Sequence, residues 1–160
     1  MTARTVVQGT SGATIAISAT LPATYDGSGY GSTLMVYTTI GEVENHGEHG
    51  ITVGTTTFTP VGTAVVTKIK TTKDYGNKSL ALGNVPANAG QILLDTAVES
   101  YNHYSVKITY PLGDGEVTAE IHYLDVLVTK NVIQDGSVSD VRKRSVEFAI
   151  CRKPVIVAAT

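Results

Sequence analysis

The chain has 160 residues, which is the size of one domain and enough to bury a substantial core. Its 12 basic and 14 acidic side chains give a net charge of −2 with histidine neutral, which argues against a protein that holds nucleic acid by charge. Charged residues make up 16% of the chain, and Thr, Gly, Ala and Val take their place, which indicates a β-rich fold. These values exclude a collagen, a coiled coil, a disulfide scaffold and a disordered tail.

The termini and the cysteine content indicate a protein made in the cytoplasm. Cys151 is the single cysteine, so the chain can form neither an intrachain disulfide nor a multi-cysteine metal site. The first residues contain one arginine and no continuous apolar segment. Nowhere does the sequence offer the run of about 18 apolar residues that a membrane span needs. We therefore expect no membrane binding.

The first half of the chain alternates apolar and polar residues with a period of two, which is typical of strands that cover a core with one face. The pattern and the β-branched composition predict strands at roughly residues 5–8, 14–19, 33–40, 55–58 and 63–71. The connection DGSGYG at residues 26–31 is glycine-rich but has no lysine for a phosphate group, so we expect it to be a loop.

A long polar segment at residues 41–54 is predicted to be an exposed loop or the tip of a long hairpin. It contains side chains of the types that bind transition metals, namely Glu42, Glu44, His46, Glu48 and His49. Glycines at positions 47 and 50 interrupt this run, and a closed metal site needs a fixed geometry. A solvated loop that contacts a neighbouring protein is therefore favoured over a metal site.

The second half contains the one predicted helix, followed by further strands. Pro86 stands near the start of a segment with helical spacing of apolar residues, which predicts a helix over 89–100. Strands are predicted at residues 104–110, 115–130 and 145–150, with a hairpin turn in PLGDGE at 111–116. In the segment 115–130, the alternation places Val117, Ala119, Ile121 and Tyr123 inward. The same alternation places inward Val106, Ile108 and Tyr110 in the strand 104–110, and Val146, Phe148 and Ile150 in the strand 145–150.

These elements predict an α+β fold: a mainly antiparallel β-sandwich or partial barrel, with the helix laid across one face or opening. We expect one domain over residues 1–160, with an N-terminal arm at about 1–12 and a C-terminal arm at about 152–160.

Two groups of charged residues stand out in this half. Glu116 and Glu120 share the polar side of the predicted strand 115–130, and Lys107 lies on the strand before it. The basic run Arg142, Lys143 and Arg144 lies beside the strand 145–150, where it would protect a sheet edge or contact a complementary protein surface.

The order of several motifs resembles the major tail tube proteins of long-tailed bacteriophages, whose fold is shared with the tube protein of type VI secretion. The segments that carry the resemblance are LMVYTTIGEVENHG, KTTKDYGNKSLALGNVPANAGQILLDTAVES, YSVKITYPLGDGEVTAEIHYLDVLV and RKRSVEFAICRKPVIV. Family-like motifs occur at residues 40–43 (IGEV), at 73–76 (KDYG) and at the Gly90 and Gln91 pair. The resemblance covers about residues 20–157, and it implies a short strand after the KDYG turn.

The resemblance implies a structural subunit without enzymatic activity and without a cofactor. In that family six copies form a ring, and the rings stack into a tube whose β-barrel lumen conducts the genome. The expected partners are further copies of the chain, a tape measure protein and tail completion, baseplate or initiator proteins, with DNA only in transit. The location would be the virion tail, assembled in the host bacterial cytoplasm.

For the site residues, the resemblance implies that the loop 41–54 and the terminal arms reach the next ring. The candidate inter-ring residues are therefore Glu42, Glu44, His46, Glu48 and His49. We expect Glu116 and Glu120 to face the lumen with Lys107 close by, because the two glutamates share the polar side of a strand in the central hairpin. The net negative charge suits a conduit for DNA, whose wall should not be cationic. Arg142, Lys143 and Arg144 are the candidate basic contacts between subunits.

Two alternative functions come from different classes. A monomeric β-sandwich binding module of a virion or cell surface would need an exposed aromatic platform, but the chain lacks Trp, and Tyr104, Tyr110 and Tyr123 fall at core-like positions. An enzyme would need a metal in the His and Glu loop, and the sequence indicates no reaction for it.

Overall fold

The computed structural model describes residues 7–160. In this part of the chain the elements are, in order, β1 (Thr14–Ser18), α1 (Gly27–Tyr30), β2 (Thr38–Ile40), β3 (Val43–Asn45), β4 (Thr52–Phe58), β5 (Thr67–Asp74), β6 (Asn77–Gly83), α2 (Ala89–Glu99), β7 (Tyr104–Thr109), β8 (Ile121–Gln134), β9 (Lys143–Ile150) and β10 (Val155–Val157). The predicted helix at 89–100 is confirmed as α2.

An antiparallel sheet of eight strands forms most of the molecule, in the order β2-β1-β7-β8-β9-β6-β3, with β10 beside β8. Its two edge strands, β2 and β3, follow each other in the chain and are joined only by Gly41 and Glu42. The sheet must therefore curl until its edges come close together. Within the described residues β2 and β3 do not pair with each other, so the barrel is not closed. The predicted mainly antiparallel partial barrel with a flanking helix is confirmed.

The concave face of this curled sheet holds the main core. Alternate residues of each strand point inward, as the period of two requires. The side chains that are almost fully buried there include those of Ile15, Ile17, Leu80, Leu82, Val106, Ile108, Leu124, Val126, Val146 and Phe148. The inward positions predicted in β7 and β9 are therefore confirmed, although Tyr110 is only half-buried.

The start of helix α2 lies at the gap between the two sheet edges, and the helix packs against β1, β2 and β8. The Asn88 side chain caps the helix by accepting from Gln91 N at 3.1 Å, and it also accepts from Gly41 N at 3.3 Å. The fully buried Gln91 side chain donates to the carbonyl oxygens of Gly41 and Gly83, at 3.3 and 2.8 Å. The side chains at the start of α2 thus provide hydrogen-bond partners for the backbone of Gly41, between β2 and β3, and of Gly83, at the end of β6.

The convex face is partly covered by residues 20–37. The ring of Tyr30 stacks on Tyr123 with centroids 5.1 Å apart, and the Tyr37 hydroxyl donates to Tyr30 O at 3.0 Å. This segment corrects two predictions. The strand predicted at 33–40 is reduced to β2, and the connection predicted as a loop contains α1, which Asp26 caps through Gly29 N at 2.7 Å.

The segment before β8 departs most from prediction. Strand β8 begins only at Ile121, and the predicted hairpin at 111–116 is part of a longer connection. Val117, predicted inward, is 84% exposed. The cause is the C-terminus: Thr160 O accepts from Val117 N and Thr118 N at 2.6 and 2.9 Å, so these amides cannot join the sheet.

Several short strands also differ from the predicted ones in their bounds. The strand predicted at 55–58 is β4, which begins three residues earlier, and the strand predicted at 63–71 is β5, which begins and ends later. The strand predicted at 5–8 is not present at Val7 and Gln8, and its first half lies outside the described residues. Strand β6, implied by the family resemblance, follows the turn at residues 75–76. No helix within residues 7–160 is long and apolar enough to cross a bilayer.

Candidate functional site

A two-stranded hairpin stands apart from the barrel and is the candidate functional surface. Strands β4 and β5 pair with each other from Thr52↔Asp74 to Phe58↔Thr67, and within residues 7–160 they pair with no strand of the main sheet. All of β5 and most of β4 are exposed. The hairpin and its tip expose several large apolar side chains, namely those of Phe58, Val61, Val65, Val66 and Ile69.

The two faces of the hairpin differ in chemistry. Because Phe58 lies opposite Thr67, and Ile69 opposite Thr56, these four side chains share one face. Lys68 and Lys70, which lie opposite Thr57 and Thr55, share the other. The first face offers apolar and hydroxyl contact area, and the second carries positive charge. A surface of this kind suits contact with another protein.

A polar cluster lies where the hairpin joins the barrel. His49 Nε2 is 2.8 Å from His122 Nδ1, and His49 Nδ1 is 3.4 Å from Lys78 Nζ. His122 Nε2 is in turn 2.7 Å from Glu120 Oε1. Lys78 also donates from Nζ to the carbonyl oxygen of His46. We call Lys78, His49, His122 and Glu120 the root cluster.

Strand alternation explains why this cluster lies at the end of the barrel interior. Lys78 occupies the same face of β6 as Leu80 and Leu82, and it is 1% exposed. His122 shares the face of β8 that carries Leu124. Burial lowers the pKa of the Lys78 ammonium to about 8, because it removes water from the charge. Burial and then the Lys78 charge lower the pKa of His49 to about 4.

The five residues predicted as inter-ring contacts divide into two groups. Glu42, Glu44 and Glu48 are exposed, and Glu44 accepts from Lys143 Nζ at 2.7 Å. His46 and His49 are half-buried and turned toward the barrel, so the prediction of a wholly exposed loop at 41–54 is wrong for them. The reason is that the buried Lys78 and His122 need polar partners, which this loop provides. Within residues 7–160, no group of three or more His, Cys, Asp or Glu side chains is arranged so that it could hold a metal ion.

The three residues predicted to face a lumen do not share one strand face. Lys107 lies in β7 with Nζ 5.5 Å from the ring centre of Tyr37, under the segment that covers the convex face. Glu116 lies in the connection before β8 and accepts from Gly113 N at 2.5 Å. Glu120 belongs to the root cluster. The prediction that the two glutamates share one polar strand side is therefore wrong. That these side chains face a lumen in an assembly stays a prediction.

The three predicted basic contacts also fall into two groups, one buried and one exposed. Arg144 is 5% exposed and binds Asp95 at 2.6 Å, so its predicted role as a contact between subunits is contradicted by its burial within the chain. Arg142 pairs with Asp135 at 2.8 Å, and Lys143 pairs with Glu44; both basic side chains are largely exposed. Arg142 and Lys143 stay predicted contacts.

The sequence analysis did not predict that Lys78 and His122 belong to one polar site. The signal in the sequence was the alternation in KSLALG, which places a lysine on the same strand face as two leucines. His122 lies at an equivalent position beside Leu124 in IHYLDV. A charged or titratable residue at an inward position indicates a buried polar contact, but sequence alone does not name its partner.

Comparison with known proteins establishes the fold. The sequence matches no known family model, and no curated protein is detectably similar to it. A chain in the anti-feeding prophage baseplate matches with a TM-score of 0.65 and 12% identity, over 98% of this chain and 97% of that one. A chain in the sheath/tube terminator of an extracellular contractile injection system matches with a TM-score of 0.68 and 9% identity, over 96% and 98%.

The SPP1 tail tube is a third similar structure, with a TM-score of 0.57 and 9% identity over 91% of this chain and 76% of that one. At these identities the matches concern the fold alone. The chain therefore has the fold seen in phage tail tubes and in the tube and baseplate assemblies of contractile injection systems.

Proposed function

We propose that the protein is a structural subunit of a bacteriophage tail tube, which assembles with further copies of itself through the β4–β5 hairpin. The observation that carries the proposal is the hairpin itself. A two-stranded hairpin alone is marginally stable in water, and this one leaves Phe58 and Ile69 exposed on a single face. A second copy that covers this face would remove the exposed apolar surface.

The fold supports a subunit that repeats. A contact between the hairpin of one copy and a different surface of the next is heterologous, so it generates rings or continuous stacks rather than a closed dimer. In the proposed assembly, rings of six copies stack into a hollow tube, as six-fold symmetry in the similar baseplate suggests by analogy. Glu42, Glu44 and Glu48 would contact the next ring, and Arg142 and Lys143 the neighbouring subunit.

The proposed tube conducts the genome, and the charge of the chain suits this role. A net charge of −2 means that the chain as a whole does not attract the phosphate backbone during ejection. Partners would be the tape measure protein and the tail completion, baseplate or initiator proteins, in a virion tail assembled in the host cytoplasm. The similar structures are structural tube and baseplate components, which supports a role without catalysis.

The hairpin face can be tested with matched variants. We expect Phe58→Asp and Ile69→Asp to keep the fold, because both side chains are about half exposed. Each should reduce the fraction of protein in assemblies at least tenfold, as measured by sedimentation velocity. Val138→Asp is the control, since Val138 is fully exposed outside the hairpin. Assembly of both hairpin variants at the level of the control would contradict the proposal.

A further inference from the structure

We propose that His49 is the anchor that fixes the β4–β5 hairpin to the barrel, and that this anchor opens in acid. The proposal deepens the proposed function, and its first half rests on geometry within a single chain. His49 lies just before β4 begins at Thr52, and Lys78 lies just after β5 ends at Asp74. The contacts of His49 with Lys78 and His122 therefore tie the base of the hairpin to two strands of the main sheet.

With both imidazoles neutral, the contacts of the root cluster fit one arrangement of hydrogens. Glu120 can only accept as a carboxylate, so His122 Nε2 carries the hydrogen of the 2.7 Å contact. A neutral His122 then accepts at Nδ1, and His49 Nε2 must be the donor across 2.8 Å. That leaves His49 Nδ1 as the acceptor, facing the Lys78 ammonium at 3.4 Å.

The result is a chain of hydrogen bonds that runs in one direction, from Lys78 through His49 and His122 to Glu120. It is complete only while both imidazoles are neutral. A proton added at His49 Nδ1 would point at the ammonium of Lys78. A proton added at His122 Nδ1 would point at the N–H of His49. Either addition places two donors against each other, with a net positive charge in a half-buried site, and breaks the contact.

The other groups around the anchor do not offset this repulsion. Tyr110 contacts the His122 ring edge-on at 4.9 Å, and His46 contributes its backbone carbonyl oxygen to Lys78. Tyr75 and Glu48 line the open cavity beside His49, where Glu48 is exposed to water. Glu120 is the carboxylate within the cluster, and the imidazole of His122 separates it from His49.

The direction of the pH effect follows from the pKa of His49. Burial and the Lys78 charge lower this pKa to about 4 in the anchored state, against 6.5 for an exposed histidine. A released loop thus binds a proton more readily than the anchored one. Anchoring is fully present above about pH 6.5 and is lost as the pH falls toward 4. Between pH 7.5 and 5 the open fraction should rise about 30-fold.

Hydrogen exchange followed by mass spectrometry tests the anchor on the unassembled full chain. After correction for the intrinsic pH dependence of exchange, the opening constant measured for peptides that span residues 46–56 and 74–79 should be about 30-fold larger at pH 5 than at pH 7.5. His49→Gln can still donate to His122 but cannot titrate at position 49, so its opening should depend on pH much less than that of the wild type. His103→Gln is the control, because His103 pairs with Asp125 away from the cluster and is also partly exposed.

Two results would overturn the proposal: unchanged protection of these peptides in the wild-type chain at pH 5, or an equal pH response in wild type and His49→Gln. Peptides from β7 and β9 report in the same experiment whether each variant is folded. If His49→Gln does not fold, Lys78→Met serves instead, and its pH response should be smaller because the repelling charge is gone. Tube formation is not measured, so a failed anchor and a failed proposed function give different results.

Discussion

Arg144 and Asp95 join the sheet to the helix that closes it. Arg144, in β9, is almost fully buried, and its guanidinium places Nη1 2.6 Å from Asp95 Oδ1 and Nη2 3.4 Å from Asp95 Oδ2 on α2. Asn84 accepts from Arg144 Nε at 2.7 Å. A buried guanidinium needs such partners, because an uncompensated charge is costly in the interior.

Removal of the carboxylate should therefore destabilise the fold more than loss of a surface ion pair. We expect Asp95→Ala to lower the free energy of unfolding by about 1–2 kcal/mol, a reduced value because Asp95 itself is half exposed. Asp135→Ala, which breaks the exposed pair with Arg142, should cost less than about 0.5 kcal/mol. Urea denaturation followed by circular dichroism measures both, and equal effects would contradict the assigned role of Arg144.

Gly90 allows α2 to lie directly against β2. A Cβ at this position would lie 2.3 Å from Thr39 O and 2.7 Å from Ile40 Cα, and both are backbone atoms that cannot rotate away. Gly90→Ala should lower the free energy of unfolding by about 1–3 kcal/mol, although alanine favours helices. Gly62→Ala has open space around it and should be nearly neutral. A Gly90→Ala variant as stable as the wild type would mean that the helix does not pack this closely.

Lys78 should make the protein more stable in mild alkali. Its pKa is about 8 in the folded chain and about 10.5 when unfolded, so the unfolded state binds more protons between these values. Stability should rise with pH across this window, by on the order of 1–2 kcal/mol between pH 8 and 10. The measurement is urea denaturation at several pH values. Lys78→Met removes the titrating group, and a slope identical to that of the wild type would contradict the prediction.

The lumen prediction can be tested at Glu116 in assembled tails. Glu116→Lys should leave tubes intact and slow DNA release, because a cationic side chain on a channel wall would retain the phosphate backbone. Glu120 is kept, because it belongs to the root cluster. Glu99→Lys is the control, as an exposed acidic residue near the end of α2. Unchanged infectivity of phage with Glu116→Lys would exclude this position from the lumen.

Strand alternation predicted the core face of β7 and β9. In β8 it placed Ile121 and Tyr123 inward, whereas the core residues Leu124 and Val126 lie on the opposite face. Val106 and Ile108 in β7, and Val146, Phe148 and Ile150 in β9, are inward as predicted, because one face of each strand is buried on the core. The helix was predictable from its spacing and from the residues before it.

Contacts between distant segments could not be predicted from the sequence. The end of the chain binds the amides of Val117 and Thr118, and this contact delays the start of β8. The inward turn of His49 depends on Lys78 and His122, which lie far from it in sequence and become neighbours only when the sheet curls. Local periodicity carries no information on such pairings, so loop 41–54 was predicted to be wholly exposed.

The most direct test of a tail tube subunit is electron microscopy of the purified full chain, before and after concentration, together with its mass in solution. A chain that remains monomeric is then mixed with its neighbouring tail proteins. We expect hollow rings or stacked tubes, formed alone or in that mixture. A chain that stays monomeric under both conditions and joins no tail would contradict a tail tube subunit and favour a monomeric binding module.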